Sequence, residues 1–237
     1  MTKEEFIKEI EKLNINYTEE MLNKLNIYMK FLIEYNSHTN LTAIKTKEEI
    51  YLKHFYDSLT ICKSYDLNKT NNLIDIGTGA GFPGMVIKIF FPKIEVTLLD
   101  SNNKKTKFLE ELSKKLDLKV TIINDRVENY SKNNLNSFDI VTSRAVANLR
   151  VLSEICLPLV KVEGYFIPLK GNIEEELKEA KETILIMNGK IVDTITFNLL
   201  DTVGIRNILL IKKMDNTKIE NIRTYDKILK KPLVKRN

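Results

Sequence analysis

Residues 72–84, Asn-Leu-Ile-Asp-Ile-Gly-Thr-Gly-Ala-Gly-Phe-Pro-Gly, constrain the chain more than any other stretch. A short apolar run breaks into glycines. Gly77, Gly79, Gly81 and Gly84 are half of the 8 glycines in the sequence. Glycine permits backbone angles and close approaches that a Cβ blocks. A strand, a glycine turn and a helix together are a way to bring backbone N–H groups against a ligand. Pro83 suits the first turn of the next helix, where a missing N–H costs nothing. Val86, Ile87, Ile89, Phe90 and Phe91 then form an apolar face that ends at Pro92. The stretch reads as a cradle for a nucleotide or a nucleotide-bearing cofactor.

The rest of the chain alternates around it. Apolar runs predict strands at 72–76, 94–99, 119–123, 138–143, 161–168, 190–197 and 205–212. Helical spacing predicts helices at 83–91, 102–116, 148–157 and 173–187. Such alternation argues for an α/β fold, a parallel sheet with helices on both faces. The last two strands have no helix between them and are expected to be antiparallel neighbours at one end of the sheet. Residues 1–65 read as helices. Thr18 can cap the second, and Met21, Leu22, Leu25, Tyr28, Met29, Leu32 and Ile33 form its apolar stripe. Asn36 to Thr42 is polar enough to be a loop, with His38 in it. Thr46-Lys47-Glu48-Glu49 opens a third helix as a capping box. That helix carries His54 and Asp57, three apart and so on one face. They form a possible metal pair with no evident third ligand; a structural contact or a hydrogen bond to substrate is the alternative. The division is therefore a helical extension at 1–65, a core at 66–213 and a basic tail at 214–237.

Two registers fit the glycines. Gly79-x-Gly81-x-x-Gly84 matches the dinucleotide fingerprint. Asp75-x-Gly77-x-Gly79-x-Gly81 matches the pattern of S-adenosylmethionine (SAM) methyltransferases. Asp75 could face an amine-bearing ligand, whereas it would repel a pyrophosphate. Asp100 ends the second strand, where an acid can accept hydrogen bonds from ribose hydroxyls. Asp125-Arg126-Val127-Glu128 comes after the third strand, where a base could be held. These three favour SAM. Thr142-Ser143-Arg144-Ala145 ends the fourth strand, so Arg144 is expected to face the reaction cleft. The chain has no Asn/Asp-Pro-Pro-Tyr motif at that place, which argues against methylation of an exocyclic amine.

A net charge of +5 is compatible with an anionic partner without demanding one. Lys104, Lys105, Lys107 and Lys170 could meet the phosphates of such a partner, with Lys107 expected on a solvated face. The tail, with Lys213, Lys218, Arg223, Lys227, Lys230, Lys231, Lys235 and Arg236, is equally a solvated tail or a phosphate-contacting arm. Cys62 and Cys156 read as free thiols of a reducing cytosol. No apolar run approaches the roughly 18 residues of a membrane span, and a cytoplasmic monomer is expected.

Asn40-Leu41-Thr42, His54-Phe55-Tyr56-Asp57-Ser58-Leu59, the stretch from Asp75 to Gly84, Leu99-Asp100-Ser101, Ser143-Arg144-Ala145 and Leu169-Lys170 together resemble the RsmG (GidB) family. These are bacterial 16S ribosomal RNA guanine-N7 methyltransferases, and the resemblance covers nearly the whole chain. It implies a Rossmann-like methyltransferase fold, a seven-stranded, mostly parallel sheet with one antiparallel edge strand plus the helical extension. It implies SAM as methyl donor, no metal, and small-subunit ribosomal RNA or a ribosomal particle as partner. SAM contacts are implied at Gly77 and Phe82, adenine-side contacts at Val127 and Glu128, and a further one at Arg144. Asp100 would hold the ribose, by analogy with the wider class, and Gly79 belongs to the same cradle. His54, Asp57, Arg144 and Lys170 are the substrate-side candidates. No catalytic residue is assigned, because guanine N7 carries a free lone pair and no proton, so its methylation needs no general base. The family tail often reads Tyr-Pro-Arg-Lys with a later glycine; here Tyr225-Asp226-Lys227 keeps the tyrosine and lacks the first proline.

Overall fold

The computed structural model describes residues 1–39, 41–44, 46–144, 146–200 and 204–233. Asn40 and Ala145 of the family motifs, and Lys235 and Arg236 of the tail, lie outside the described residues.

The N-terminal part is helical, as its spacing predicts. α1 (Lys3–Lys12) is held by a capping box between Thr2 and Glu5 and buries Phe6 and Ile10. α2 (Glu19–Thr39) starts with Thr18 Oγ1 accepting from the Met21 N–H. It runs on to Thr39, through the first half of the segment expected to be a loop. Its polar residues bond back to the helix: Ser37 to the Glu34 carbonyl and Thr39 to the Tyr35 carbonyl. Asn36 is buried and grips the backbone of Thr42 in both directions, at 2.8 and 2.9 Å. Polarity here satisfies backbone groups rather than seeking solvent.

The third helix is composite. Thr46 caps α3 (Lys47–Glu49), the seven residues Ile50–Tyr56 wind as a π-helix, and α4 (Asp57–Leu59) completes it. A π-helical stretch is rare and is found frequently at functional sites.

Seven strands come next: β1 (Asn72–Ile76), β2 (Glu95–Asp100), β3 (Thr121–Asn124), β4 (Phe138–Arg144), β5 (Val160–Lys170), β6 (Gly189–Asn198) and β7 (Ile205–Lys213). Their order is β3-β2-β1-β4-β5-β7-β6. β1 to β5 are mutually parallel. β7 runs antiparallel to both its neighbours and lies between β5 and the outermost β6. The connecting helices are α5 (Gly84–Phe90), α6 (Asn103–Lys115), α7 (Val127–Tyr130), α8 (Leu149–Cys156) and α9 (Glu174–Ile186).

The strand period of two sorts the core. On one face Leu73, Val96, Leu98, Ile140 and Ile167 pack with α1, α2, the composite helix, α5 and α6. On the other, Ile74, Ile76, Leu99, Val141 and Phe166 pack with α8 and α9. The helical extension thus shares a core with the sheet.

Residues 214–233 are packed on the core rather than free. Their last helix, α10 (Tyr225–Lys230), buries Ile228 in the second core. Arg223 pairs in a fork with the buried carboxylate of Glu154. One buried isoleucine, the partly buried Tyr225 and Leu233 and one buried acid explain why a lysine-rich segment folds back.

Candidate functional site

The glycine loop leaves the carboxyl end of β1 with positive φ at Gly77, Gly79 and Gly81. Six of its N–H groups are spent on acceptors within the protein. Gly77 and Thr78 donate to the Leu99 carbonyl, and Gly81 and Phe82 to the Thr78 carbonyl. Gly79 donates to Asp100 Oδ2 at 3.0 Å, and Gly84 to Asp75 Oδ2 at 2.8 Å. With these donors spent, the loop offers no nest for a pyrophosphate. The dinucleotide register therefore fails at both Gly81 and Gly84.

Asp75 is fully buried beneath the loop, not turned to a ligand amine. Its neighbours Ile74 and Ile76 face the second core, so it shares the other face with Leu73 and meets α5. Oδ2 accepts from the Thr78 hydroxyl at 2.7 Å as well as from Gly84, while Oδ1 has no partner. Burial pushes its carboxyl up to about 6, against the pull of those two hydrogen bonds and of Arg144. Asp75 is a brace for the loop.

Outside the carboxyl ends of β1, β2 and β3 lies a cavity of about 290 Å³. Gly77, Asp100, Val127 and Glu128 line it, four of the residues expected to bind the donor. Gly79 reaches it through its bond to Asp100. Ile76, Val146, Ile155, Lys105, Arg126 and Tyr225 also line it. Lys105 sits 3.5 Å from Asp100, so it belongs to this cavity, while Lys104 and Lys107 are solvated. Acids beside apolar walls suit ribose hydroxyls and a flat base, so the donor set fits an adenosyl group.

Phe82 does not line that cavity. Its ring lies between two others, stacked on Tyr28 at 5.2 Å and on His54 at 4.2 Å. Tyr28 is wholly buried and donates to the Ala80 carbonyl, which ties α2 to the loop. Burial raises its phenol well above the ordinary range.

A second cavity, about 380 Å³, opens beside the ends of β4 and β5. It gathers His54, Asp57, Arg144 and Lys170, the four substrate-side candidates, together with Lys53 and Arg206. Asp57 is shared by two guanidiniums, Arg144 at 2.8 Å and Arg206 at 3.0 Å. Arg144 also donates to the Lys53 carbonyl at 2.9 Å and to His54 Nδ1 at 3.1 Å, with its guanidinium 5.2 Å from the Phe82 ring. An arginine can only donate, so Nδ1 accepts and Nε2 carries the proton. That Nε2 lies 3.0 Å from Thr42 Oγ1. Both ring nitrogens are thus engaged, leaving none for a metal. Among the described residues no cluster of three or more His, Cys, Asp or Glu could hold one. Burial, then Arg144, drives His54 down to about 3, so it is a neutral imidazole across the physiological range. Lys170 is tied to Glu176 and to the Ala147 carbonyl, 2.7 and 2.8 Å away.

Sequence reading missed Arg206 and Tyr225. Arg206 lies 149 positions from the Asp57 it pairs with, and a polar residue near the start of an edge-region strand carries no local signature. A further cavity, about 670 Å³, lies at the opposite end of the sheet against Leu67, Asn68 and Phe91 and touches none of these groups.

Comparison with known proteins points the same way. The family model described as rRNA small subunit methyltransferase G matches residues 21–209. Ribosomal RNA small subunit methyltransferase G of Bacillus subtilis (strain 168) is 44% identical over 221 residues, 92% of each chain. That of Lachnoclostridium phytofermentans is 43% identical over 235 residues, 98% of this chain and 97% of the relative. Among solved structures, the mitomycin 7-O-methyltransferase MmcR superposes with a TM-score of 0.57 at 12% identity, over 82% of this chain and 66% of its own. M. jannaschii TYW2, solved with AdoMet, gives 0.51 at 14% identity over 63% and 72%. At such identities the structures speak for a shared methyltransferase fold.

Proposed function

Because the chain belongs to the ribosomal RNA small subunit methyltransferase G family, we propose that its two cavities divide the reaction between donor and acceptor. The enzyme transfers a methyl group from SAM to N7 of a guanine in 16S ribosomal RNA. When bound, SAM supplies an electrophilic sulfonium methyl. Everything else falls to this chain's own groups.

We assign the donor to the cavity of Gly77, Asp100, Val127 and Glu128. Asp100 keeps acceptor capacity beyond its bond to Gly79 and receives ribose hydroxyls. Val127 and Ile155 present apolar surface to the base. The inward-tied loop presets this rim, so little ordering is left for the moment of binding.

The acceptor guanine is assigned to the cavity of His54, Asp57, Arg144, Lys170 and Arg206. The attack uses a lone pair that carries no proton, so positioning dominates the rate. Arg144 is fixed by Asp57, Lys53, His54 and Phe82 and serves as a rigid wall between the helical extension and the sheet. His54, neutral and with both nitrogens engaged, orients Arg144 and transfers no proton. The Asp57 carboxylate, shared by the two guanidiniums, offsets part of their charge against the cationic product guanine. Lys53, Lys170 and Arg206 give the cavity mouth a positive field for the phosphates beside the target base.

The observation that carries this division is the pair of cavities at the carboxyl ends of adjacent strands, one acidic and one rich in arginine. We place the enzyme in the cytoplasm as a monomer that needs no metal and acts on small-subunit RNA or a ribosomal particle. Among the described residues no helix is long and apolar enough to cross a membrane. The test is methylation of 16S RNA and of small-subunit particles with labelled SAM, with the modified base mapped. An unmodified guanine N7, or loss of activity on adding a chelator, refutes it.

A further inference from the structure

The C-terminal segment crosses the mouth of the donor cavity. Tyr225, the first residue of α10, lines that cavity beside Arg126, Val127 and Glu128. The Arg126 guanidinium lies over the Tyr225 ring, 5.6 Å from its centre. The segment is anchored on both sides of the ring. Ile228 is buried in the second core, and its carbonyl accepts from Arg150 Nη1 at 3.1 Å. Arg223 holds Glu154 in a fork and donates back to the Lys231 carbonyl at 2.7 Å. Glu154 and Arg150 belong to α8, whose Ile155 is another wall of the same cavity. The exposed cations Lys227, Lys230 and Lys231 contribute no wall to the cavity.

We propose that Tyr225, backed by Arg126, is a donor-binding residue, a cation–aromatic pair that walls the adenosyl end of the cavity, and that the C-terminal segment serves as the strap that holds it there. This rests on reading the cavity as the SAM site. A tyrosine face beside a guanidinium plane suits a flat purine, because both stack on it. The positive charge of the segment then acts separately from its contribution to the cavity.

Isothermal titration with SAM and with S-adenosylhomocysteine tests this on the full chain. Tyr225→Ala is expected to weaken both ligands by about tenfold, the scale of a lost base–aromatic stack. Tyr225→Phe is expected to restore affinity, and Lys227→Ala with Lys230→Ala to leave it unchanged. Arg126→Ala, a loop substitution, is expected to weaken both ligands in the same direction and covers the case in which Tyr225→Ala fails to fold. Unchanged SAM affinity in a folded Tyr225→Ala protein overturns the proposal, whatever happens to RNA affinity. Failure of the unsubstituted protein to bind SAM overturns instead the reading of the cavity on which it rests.

Discussion

Acid stability separates two buried groups that oppose one another. Burial and Arg144 hold His54 at about 3, against 6.5 for an ordinary imidazole. The unfolded chain therefore takes up a proton that the folded chain refuses, and stability falls as pH drops below about 6.5. At about 1.36 kcal/mol per unit of difference, the loss between about pH 7.5 and 4.5 comes to about 2.7 kcal/mol. Asp75 has the opposite sign. Its carboxyl is raised from 3.8 to about 6, so the folded chain takes up the proton first. That contribution adds stability on acidification, about 2 kcal/mol over the same range. The unsubstituted protein thus conceals both effects in a nearly flat difference. Urea unfolding at about pH 7.5, 6.0 and 4.5 on His54→Gln and Asp75→Asn exposes them. Glutamine keeps an acceptor for Arg144, and asparagine keeps one for Thr78 and Gly84. Relative to the unsubstituted protein, His54→Gln is expected to gain about 2.7 kcal/mol on acidification and Asp75→Asn to lose about 2. Every other carboxylate is common to the three proteins and cancels. Curves that stay parallel within about 0.5 kcal/mol refute the assignment of these two groups as buried and oppositely poised.

Three further outcomes are expected. Gly77→Ala sets a Cβ 2.5 Å from Val146 Cγ2 at a φ of +66°; SAM affinity measured by calorimetry should fall more than about tenfold, and retained affinity contradicts the placing of the donor. Asp57→Ala strands two guanidiniums and should cost about 3 kcal/mol in urea unfolding, against about 1 for Arg206→Ala, which leaves Asp57 still paired with Arg144; equal costs contradict the shared-carboxylate arrangement. Arg206→Ala should also reduce the slope of log affinity for 16S RNA against log salt by about one unit, and an unaltered slope removes Arg206 from the RNA contact.

The sheet was legible because each strand is an apolar run bounded by turn residues, and only its ends differ by a residue or two. The loop was legible as a cradle, because four clustered glycines have few other uses. The direction of its N–H groups was not. That depends on which acids lie under the loop, and the glycines beside Asp75 in sequence do not show which way its carboxylate turns. The alternation Leu73, Asp75 against Ile74, Ile76 already carries the answer, since it sets Asp75 on the α5 face. The gathering of His54, Asp57, Arg144 and Lys170 at one cavity was expected from the ends of the strands and one helix face. Arg206 and Tyr225 come from the far end of the chain, where no local pattern marks a partner in space. Residues 214–233 mislead through their charge, because Ile228, Tyr225 and Leu233 on the core and the pairing of Arg223 with Glu154 outweigh the lysines between them.

The π-helical winding of Ile50–Tyr56 has a consequence for the counting of residues. An α-helix turns by about 100° per residue, and a π-turn holds about one residue more than an α-turn. Before this stretch the chain is fixed by the Thr46 cap, and within and after it by His54 against Phe82 and Asp57 against two arginines. The surplus residue therefore sets the phase between the two halves of the site. Kept at its full length but wound as an α-helix, the stretch would swing its later turns by about a quarter of a revolution. His54 and Asp57 would then face away from Arg144 with every side chain of the site still present. In this chain, the winding of one helix is as much a part of the site as the residues it carries.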